Sequence, residues 1–214
     1  MDRKTTQNSP IKIVIGIPSN GYIRAETITS LIEAISYLQG IEVIVSAPTG
    51  CYIHQLREYL GEQSLQLQAT HLMFIDSDMT FEPQGILKLL KAKKPIIGGD
   101  YNYKLTPKMS VTKIDPEKID KKYIEEDPNF PGYLRLKEDN RPNFPFEVKA
   151  IATGFMLIET QVFKKIKKPW FWFDIENEKL VGEDLYFCQK AKKENISIWC
   201  EPTIKIGHLG IKIY

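Results

Sequence analysis

Two aspartates separated by one residue follow a strongly apolar segment. The segment at 71–75 predicts a buried strand, and Asp76 and Asp78 come directly after it. Residues i and i+2 of an extended chain point to the same side, so both carboxylates can face one ligand. Two such carboxylates repel each other, and Mg²⁺ or Mn²⁺, bound together with phosphate oxygens of a substrate, would relieve that repulsion. The competing interpretation is a pair of solvated acids in a turn.

A second acidic pair, Glu183 and Asp184, follows Gly182 at the start of a predicted helix. Acidic side chains in a first helical turn are stabilised by the helix dipole, which is a sufficient structural explanation for both. The functional interpretation is a carboxylate that acts as general base or binds the hydroxyl groups of an acceptor. The pattern alone leaves both interpretations open.

One histidine, His208, lies between two glycines in Gly-His-Leu-Gly near the end of the chain. Glycines allow the backbone to approach a ligand closely. An imidazole would complete a cation site that already contains two carboxylates, and it would shift the preference from Mg²⁺ towards Mn²⁺. His54 and His71 lack such a setting, and we interpret both as structural.

The first half of the chain alternates strands and helices. Apolar segments predict strands at 11–17, 41–46, 71–75 and 95–99, and helical spacing predicts helices at 28–38, 53–67 and 83–92. This alternation is typical of a parallel sheet covered on both faces. Ligands of such sheets bind beyond the carboxyl ends of the strands, which is where the two aspartates lie.

The second half is less regular. Residues 102–147 contain six of the thirteen prolines and no sustained period, which predicts a long functional or mobile loop. Beyond it we expect order at 148–158, helices at 160–166 and 183–194, and strands at 196–200 and 203–206. Asn195 is the expected end of the last helix. An aromatic cluster occupies 170–173.

Composition excludes several classes of protein. The chain has 214 residues, of which 43% are hydrophobic and 26% charged, as in a globular protein of one domain. A net charge of +2 is too small to indicate nucleic-acid binding. Residues 88–122 nevertheless contain ten lysines against four acids, which indicates a solvated face or attraction to an anionic substrate or membrane surface.

Three cysteines at wide spacings predict free thiols in a reducing compartment. The polar N-terminus does not resemble a signal peptide, and no apolar segment approaches the roughly 20 residues that span a bilayer. We therefore expect a cytoplasmic protein that is membrane-peripheral at most.

Four segments together resemble the GT-A-fold, DXD-type nucleotide-sugar glycosyltransferases of the family-2-like kind. They are Ile-Gly-Ile-Pro-Ser-Asn after the first strand, Phe-Ile-Asp-Ser-Asp-Met after the third, Gly-Glu-Asp-Leu-Tyr-Phe-Cys, and the closing Ile-Gly-His-Leu-Gly. The resemblance spans residues 11–210. In size the chain is similar to small glycosyltransferases of phages and large DNA viruses, including chlorella viruses, which would place it in the host cytoplasm.

The resemblance implies one α/β domain with a Rossmann-like, mixed but mainly parallel sheet flanked by helices. Residues 11–101 would form the nucleotide-sugar-binding half, 102–147 a long loop on the acceptor side, and 148–214 the acceptor and catalytic half. The implied reaction transfers a sugar from a nucleotide-sugar donor, by default UDP-glucose, to a hydroxyl of a glycan or glycoconjugate. Nucleic acid is not an implied partner, and the chain could be one module of a longer protein.

The resemblance also implies a role for each matching position. Asp184 would be the catalytic base, with Glu183 as its neighbour. The residues implied to bind the divalent metal are Asp76, Asp78 and His208. Those implied to bind the donor are Pro18, Ser19, Asn20, Arg57, Asp76, Ser77 and Asp100. Those implied to line the acceptor side are Thr153, Gly154, Trp170 and Phe171, where an aromatic face would stack on a sugar ring.

Two other functions fit parts of the pattern. In a phosphatase similar to the haloacid dehalogenases, Asp76 would be the nucleophile, Asp78 the acid/base, and Glu183 and Asp184 the Mg²⁺ ligands. Those enzymes usually carry the motif on their first strand, whereas two strand–helix units precede it here. The second alternative is a sugar-nucleotide- or glycan-binding module without activity. The chain lacks the Gln-x-x-Arg-Trp motif of polysaccharide synthases, and the stereochemical outcome stays open.

Overall fold

The computed structural model describes residues 10–104, 109–176 and 178–210. The predictions that concern the N-terminal residues 1–9 and Pro107 lie outside this range. The strands are β1 (Lys12–Gly16), β2 (Glu42–Ser46), β3 (His71–Ile75), β4 (Met79–Phe81), β5 (Ile96–Gly99), β6 (Lys113–Ile114), β7 (Ile124–Glu126), β8 (Leu134–Leu136), β9 (Phe146–Ala150), β10 (Phe155–Glu159), β11 (Asp174–Glu176), β12 (Lys179–Val181), β13 (Ile198–Glu201) and β14 (Ile206–His208). The helices are α1 (Ala25–Ile35), α2 (Ile53–Gln66), α3 (Gly85–Ala92), α4 (Gln161–Lys165) and α5 (Glu183–Lys193), with a 3₁₀ turn at Lys121–Tyr123.

Within the described residues the main sheet has eight strands in the order β2-β1-β3-β10-β5-β13-β9-β6. Only β9 and β10 run against the other six strands. Every residue of β1 after Lys12 and of β3 after His71 is buried, which requires cover on both faces of the sheet. The predicted mixed, mainly parallel sheet flanked by helices is therefore confirmed.

The centre of the sheet differs from the simple alternation of strand and helix. The expected ordered stretch at 148–158 is two strands, β9 and β10, which lie at different places in the sheet. Strand β10 inserts antiparallel between β3 and β5, and its Leu157 pairs with Met73 on one side and Ile97 on the other. The five residues of β10 are almost entirely apolar because the strand has neighbours on both edges and both faces.

Most element ends agree with the sequence pattern. Helix α5 is followed by Asn195 with a φ of +56°, which supports the expected helix end, since asparagine tolerates the left-handed conformation. The strand expected at 203–206 is wrong. The Glu201 carboxylate accepts hydrogen bonds from the N–H and hydroxyl of Thr203 and folds that segment into a turn. The last strand, β14, begins at Ile206 and pairs with β4 instead.

The segment at 102–147 is not the structureless loop that the sequence predicted. It contains β6 and the β7–β8 hairpin, and it buries apolar side chains such as Ile114, Ile124 and Leu136 in the core. Asp100 anchors its base: the carboxylate accepts hydrogen bonds from Ser110, Thr112 and Arg141. Strands of two or three residues carry too short a period to be recognised in a sequence.

The thiols agree with the prediction from the sequence. Cys188 and Cys200 are buried, Cys51 is exposed, and all three are free. Across the three described ranges, no helix is both long and apolar enough to cross a membrane.

Candidate functional site

A cleft of about 850 Å³ opens beyond the carboxyl ends of β1, β2 and β3. The segments that follow these three strands line it, as the topology of the sheet predicts. The cleft residues that the sequence analysis assigned to the donor are Pro18, Ser19, Asn20, Asp76 and Ser77. Ser77 also fixes the start of α1, because its carbonyl accepts hydrogen bonds from the Arg24 N–H and the Thr27 hydroxyl.

Asp76 is held from two directions at the end of β3. Its N–H donates to the carbonyl of Gly154 at 3.0 Å, and its Oδ1 accepts from Arg57 Nη2 at 3.0 Å. Arg57 Nε donates to Glu183 Oε1 at 3.2 Å, so one guanidinium joins the two acidic motifs of the sequence. This bridge crosses the site from the strand to the start of α5.

The sequence analysis expected Arg57 to face the donor. Its side chain is instead turned into the protein. Its side chain is only 3% exposed and its guanidinium lies over the ring of Phe74. Burial alone would lower the pKa of Arg57, but the carboxylates of Asp76 and Glu183 outweigh burial and raise it. Its Nη1 is buried and has no hydrogen-bond partner among the described residues. The expected donor contact is corrected to a buried ionic bridge.

Asp78 lies in the same cleft with different partners. Lys104 Nζ is 2.6 Å from its Oδ2, and His208 Nε2 is 3.4 Å from its Oδ1. The pairing of β14 with β4 places His208 opposite Met79, and the Leu209 N–H donates to the Asp78 carbonyl at 2.8 Å. Partial burial would raise the pKa of Asp78, but the hydrogen bonds from His208 and Lys104 outweigh it and lower it to about 2.

The predicted metal ligands are brought together only in part. Asp78 and His208 both line the cleft, where Asp78 contacts Lys104 and His208, and His208 Nδ1 lies 3.2 Å from the carbonyl oxygen of Asn102. A carboxylate and an imidazole suit Mn²⁺ or Mg²⁺ when phosphate oxygens supply the remaining ligands, and a cation would have to replace some of these contacts. Asp76 is engaged with Arg57 instead. Among the residues that the structure describes, no three histidine, cysteine or acidic side chains form a metal-binding group.

Asp184 is an acid of the site whose pKa is raised above its ordinary value. It occupies the first turn of α5, and its Oδ1 accepts a hydrogen bond from the Leu185 N–H at 2.7 Å. Burial, followed by the nearby negative charge of Glu183, raises the pKa of Asp184 to about 6. A carboxylate whose pKa lies close to neutrality is well suited to act as a general base.

Thr153 and Gly154 lie behind the site. Thr153 is buried, and the Gly154 N–H donates to the hydroxyl of Tyr101 at 3.0 Å. A Cβ atom on Gly154 would lie 3.0 Å from Asp76 Oδ2 and would overlap the Tyr101 hydroxyl. Glycine is required here because the backbone just before β10 approaches the carboxylate so closely.

We expect the substitution Gly154→Ala to lower both the stability of the protein and its affinity for the donor. The added methyl group must displace Tyr101 or Asp76, and overpacking of this kind costs about 1–3 kcal/mol of the free energy of unfolding. Urea unfolding measures the first effect, and the affinity for the donor proposed below measures the second. Gly210→Ala, whose added methyl group would meet only Lys104 Cγ at an ordinary 3.7 Å, is the control for the effect of an added methyl group on unfolding. Unchanged unfolding and donor affinity in Gly154→Ala would contradict this packing.

The expected acceptor-side stacking of Trp170 and Phe171 is wrong. Trp170 is 3% exposed and Phe171 is fully buried. Phe171 stacks on Phe187 at 4.7 Å between ring centroids, and Trp170 Nε1 donates to the carbonyl of Ile166. Neither ring has a free face, because both belong to the core. Asp100, expected near the donor sugar, is bound to the 102–147 segment and does not line the cleft.

The site also contains residues that the sequence pattern did not indicate. Tyr22, Arg24 and Lys104 line the cleft, and Tyr101 packs edge-on against His208 with 5.6 Å between ring centroids. The first two follow the first strand closely, so their position was a usable signal. Lys104 was one of ten lysines in its region, and nothing in the sequence distinguished it.

Comparison with known proteins gives information on the fold. No protein-family model matches this chain, and no curated protein matches it. The crystal structure of A197 from STIV is similar to it, with 19% identity, a TM-score of 0.62, and coverage of 94% of this chain and 87% of that one. This chain therefore shares the fold of A197.

Two further solved structures are more distant. S. aureus TarS matches with 14% identity and a TM-score of 0.48, over 90% of this chain and 37% of TarS. The 4-diphosphocytidyl-2C-methyl-D-erythritol synthase of Anaerococcus prevotii matches with 13% identity and a TM-score of 0.39, over 72% of this chain and 73% of that one. Neither likeness is close enough to support an argument about function.

Proposed function

We propose that this protein is a divalent-metal-dependent glycosyltransferase that moves a sugar from a nucleotide-sugar donor to an acceptor hydroxyl. One observation carries the proposal. The cleft beyond β1, β2 and β3 contains Asp78 beside His208. The ionic bridge through Arg57 links Asp76, in the same cleft, to the start of α5, which bears Asp184. These positions match the segments that resemble GT-A glycosyltransferases. The fold is compatible with this function but does not select it.

The cleft suits a ligand of nucleotide-sugar size. Its volume of about 850 Å³ lies in the upper part of the range for small-molecule sites, which is roughly 300–1,000 Å³. Pro18, Ser19 and Asn20 would contact the nucleoside of the donor, which is uridine in the default donor UDP-glucose. Arg24 and Lys104 would add positive charge for the diphosphate, since guanidinium and ammonium groups both bind phosphate oxygens.

Asp78 and His208 would hold the cation, Mn²⁺ or Mg²⁺, together with diphosphate oxygens. Its chemistry when bound is to stabilise the negative charge of the departing nucleoside diphosphate. Lys104, which contacts Asp78 Oδ2, would turn its ammonium group towards the diphosphate when a cation is held there. Asp76, fixed by Arg57 and Gly154, would orient the ribose or the sugar.

Asp184 would accept the proton of the acceptor hydroxyl as the acceptor oxygen bonds to the anomeric carbon of the donor. The bond between that carbon and the diphosphate oxygen breaks, and the nucleoside diphosphate leaves with the bonding electrons. Glu183 would act indirectly, because it binds Arg57 and adds negative charge beside Asp184. The protonated form of Asp184 cannot serve as the base.

The direct test is turnover of nucleotide sugars. The protein is incubated with UDP-, GDP- and dTDP-sugars and Mn²⁺, and release of the nucleoside diphosphate is measured, since transferases hydrolyse their donors slowly without acceptor. We expect release from UDP-glucose or another UDP-sugar. Binding without turnover would favour a sugar-nucleotide-binding module. Hydrolysis of a simple phosphoester that is lost in Asp76→Asn would favour the phosphatase.

Replacing Asp78 by alanine should remove metal-dependent donor binding. The variant loses the carboxylate beside His208, so donor affinity should fall at least tenfold and lose its response to Mn²⁺. Isothermal titration calorimetry with the nucleoside diphosphate, with and without Mn²⁺, measures this. Asp120→Ala, which removes an exposed acid of the 102–147 segment, is the control. Unchanged metal dependence in Asp78→Ala would show that the cation site is assigned to the wrong residues.

A further inference from the structure

We propose that an aromatic groove, on the side of α2 that faces away from the donor cleft, is a carbohydrate-binding subsite. It would bind the part of the acceptor that is remote from the reacting hydroxyl. The groove has a volume of about 460 Å³ and lies between α2 and residues 168–172. The residues that carry the argument are His54, Glu58, Tyr59, Glu62, Lys168 and Trp172. The inference rests on the proposed function only for the position of the reacting hydroxyl.

Trp172 presents an apolar ring to solvent in a fixed orientation. It is 50% exposed, whereas its neighbours Trp170 and Phe171 are buried. Its ring packs edge-to-face against His54, with 5.0 Å between centroids and an angle of 83°. Tyr59, five residues after His54 on α2, is also 50% exposed. A rigid indole loses little conformational freedom on binding, so it is a favourable surface for the C–H face of a sugar ring.

His54 supports the groove from below. It is 9% exposed, lies between Trp172 and Phe173, and its Nδ1 is buried with no hydrogen-bond partner among the described residues. Edge-to-face contacts with Trp172 and Phe173 therefore hold this imidazole, and it in turn supports the exposed indole.

The polar groups beside the aromatic rings match a neutral polyhydroxyl compound. Glu58 Oε1 accepts a hydrogen bond from the Phe171 N–H at 2.6 Å, which fixes the carboxylate at the groove. Lys168 forms an ion pair with Glu62 at the rim. Hydroxyl groups both donate and accept, so they can bind the carboxylates and the ammonium group. Two carboxylates against one ammonium group disfavour a phosphorylated or otherwise anionic ligand.

The groove lies at the end of the site that carries the base. Arg57 contacts Glu183 beside Asp184, and the next residue, Glu58, contacts Phe171 beside Trp172. The β11–β12 hairpin connects the aromatic segment directly to the start of α5. On α2, Ile53 and Leu56 line the donor cleft while His54 and Tyr59 line the groove, so one helix, about 10 Å wide, separates the two. An acceptor glycan bound in the groove would reach the base by passing around this helix.

Binding is tested first without turnover. The indole Nε1–H signals of Trp170, Trp172 and Trp199 are followed by NMR during titration with maltohexaose, cellohexaose and chitohexaose, and Trp172→Phe assigns the signal. We expect at least one oligosaccharide to shift the Trp172 signal and leave that of Trp199 in place. Trp172→Ala should weaken this binding roughly tenfold or more, because stacking covers on the order of 100 Å² of the indole. Tyr37→Ala, at an exposed ring on the end of α1, is the matched control.

A kinetic test separates this subsite from the catalytic site. With an oligosaccharide acceptor, Trp172→Ala and Tyr59→Ala should raise the KM for the acceptor and leave kcat and donor hydrolysis without acceptor unchanged. If none of the oligosaccharides shifts the Trp172 signal, or Trp172→Ala binds them as the wild type does, the subsite is refuted. Shifts in a protein that turns over no nucleotide sugar would retain the subsite and refute the proposed function. A protein partner that shifts Trp172 when no oligosaccharide does would identify a protein interface instead.

Discussion

Replacing Asp184 by asparagine is expected to stop sugar transfer and, at neutral pH, to stabilise the fold. Asparagine keeps the size and the hydrogen bond to Leu185 but cannot accept a proton. Removal of a general base reduces turnover by about 10²–10⁴-fold. Donor binding should persist, because the donor cleft is lined by other residues. The turnover number with acceptor and the calorimetric affinity for the nucleoside diphosphate measure the two effects separately.

The expected gain in stability follows from the pKa of Asp184, which burial and then Glu183 raise from 3.8 to about 6. Between these two values the folded protein binds more protons than the unfolded chain, so stability falls as pH rises through this window. Above pH 6 the ionised carboxylate costs on the order of 3 kcal/mol of the free energy of unfolding. Asp184→Asn should therefore unfold at higher urea concentration than the wild type at pH 7.5, and the difference should disappear near pH 4.

The same pKa gives the pH dependence of the reaction. Transfer by the wild type should increase with pH, with a midpoint near 6, because the carboxylate must be ionised to accept the proton. Glu183→Gln is the matched control: it removes the neighbouring charge, lowers the pKa of Asp184, and should move the midpoint to lower pH. An Asp184→Asn variant with full transfer activity would exclude this residue as the base, whatever its effect on stability.

The sequence predicted the sheet edge of the site well. Asp76 and Asp78 follow a segment whose residues are all apolar beyond His71, and such a segment has few alternatives to a buried strand. Once the strand is placed, the topology of the sheet puts its carboxyl end at the ligand edge. His208, the neighbour of Asp78, was predictable for a different reason. The glycines around it indicated a close approach of the backbone to a ligand.

Other predictions failed because they depended on which face of an element is buried. The four aromatic residues at 170–173 are equivalent in sequence, and only the packing of Trp170 and Phe171 against the core separates them from exposed Trp172. The extended segment carries no period that would show this. The prediction that 102–147 is a loop failed for another reason. Its short strands are stabilised by distant partners such as Asp100 rather than by local propensity.

Arg57 is the residue whose role the sequence could not indicate. An arginine on a helix beside a ligand cleft predicts a contact with an anionic ligand, because buried charge is costly and rare. Here Asp76 and Glu183, which are distant in sequence, compensate that cost, and the guanidinium fork can hold both carboxylates at once. The bridge couples the end of β3, which Asp76 follows, to the start of α5, which bears Asp184.

Arg57→Met should therefore be the most destabilising single change in the site. It leaves Asp76 and Glu183 without their counter-ion, and breaking a buried ion pair from one side costs about 3–5 kcal/mol of the free energy of unfolding. Arg57→Lys should recover only part of this loss, because one ammonium group cannot replace a fork that binds two carboxylates. Arg24→Met, at the exposed arginine that lines the cleft, controls for the loss of positive charge and should leave stability nearly unchanged.

A double-mutant cycle tests whether the bridge itself is the cause. Glu183→Gln removes one unpaired carboxylate, so Arg57→Met combined with Glu183→Gln should be less destabilised than the sum of the two single variants. Groups in one ionic network couple by about 0.5–3 kcal/mol, which urea unfolding at pH 7.5 resolves. Additive effects would show that Arg57 and Glu183 do not couple, so that Arg57 stabilises the protein through Asp76 and its packing on Phe74. In that case the donor side and the base would not be joined by charge, and Glu183→Gln would leave donor affinity unchanged.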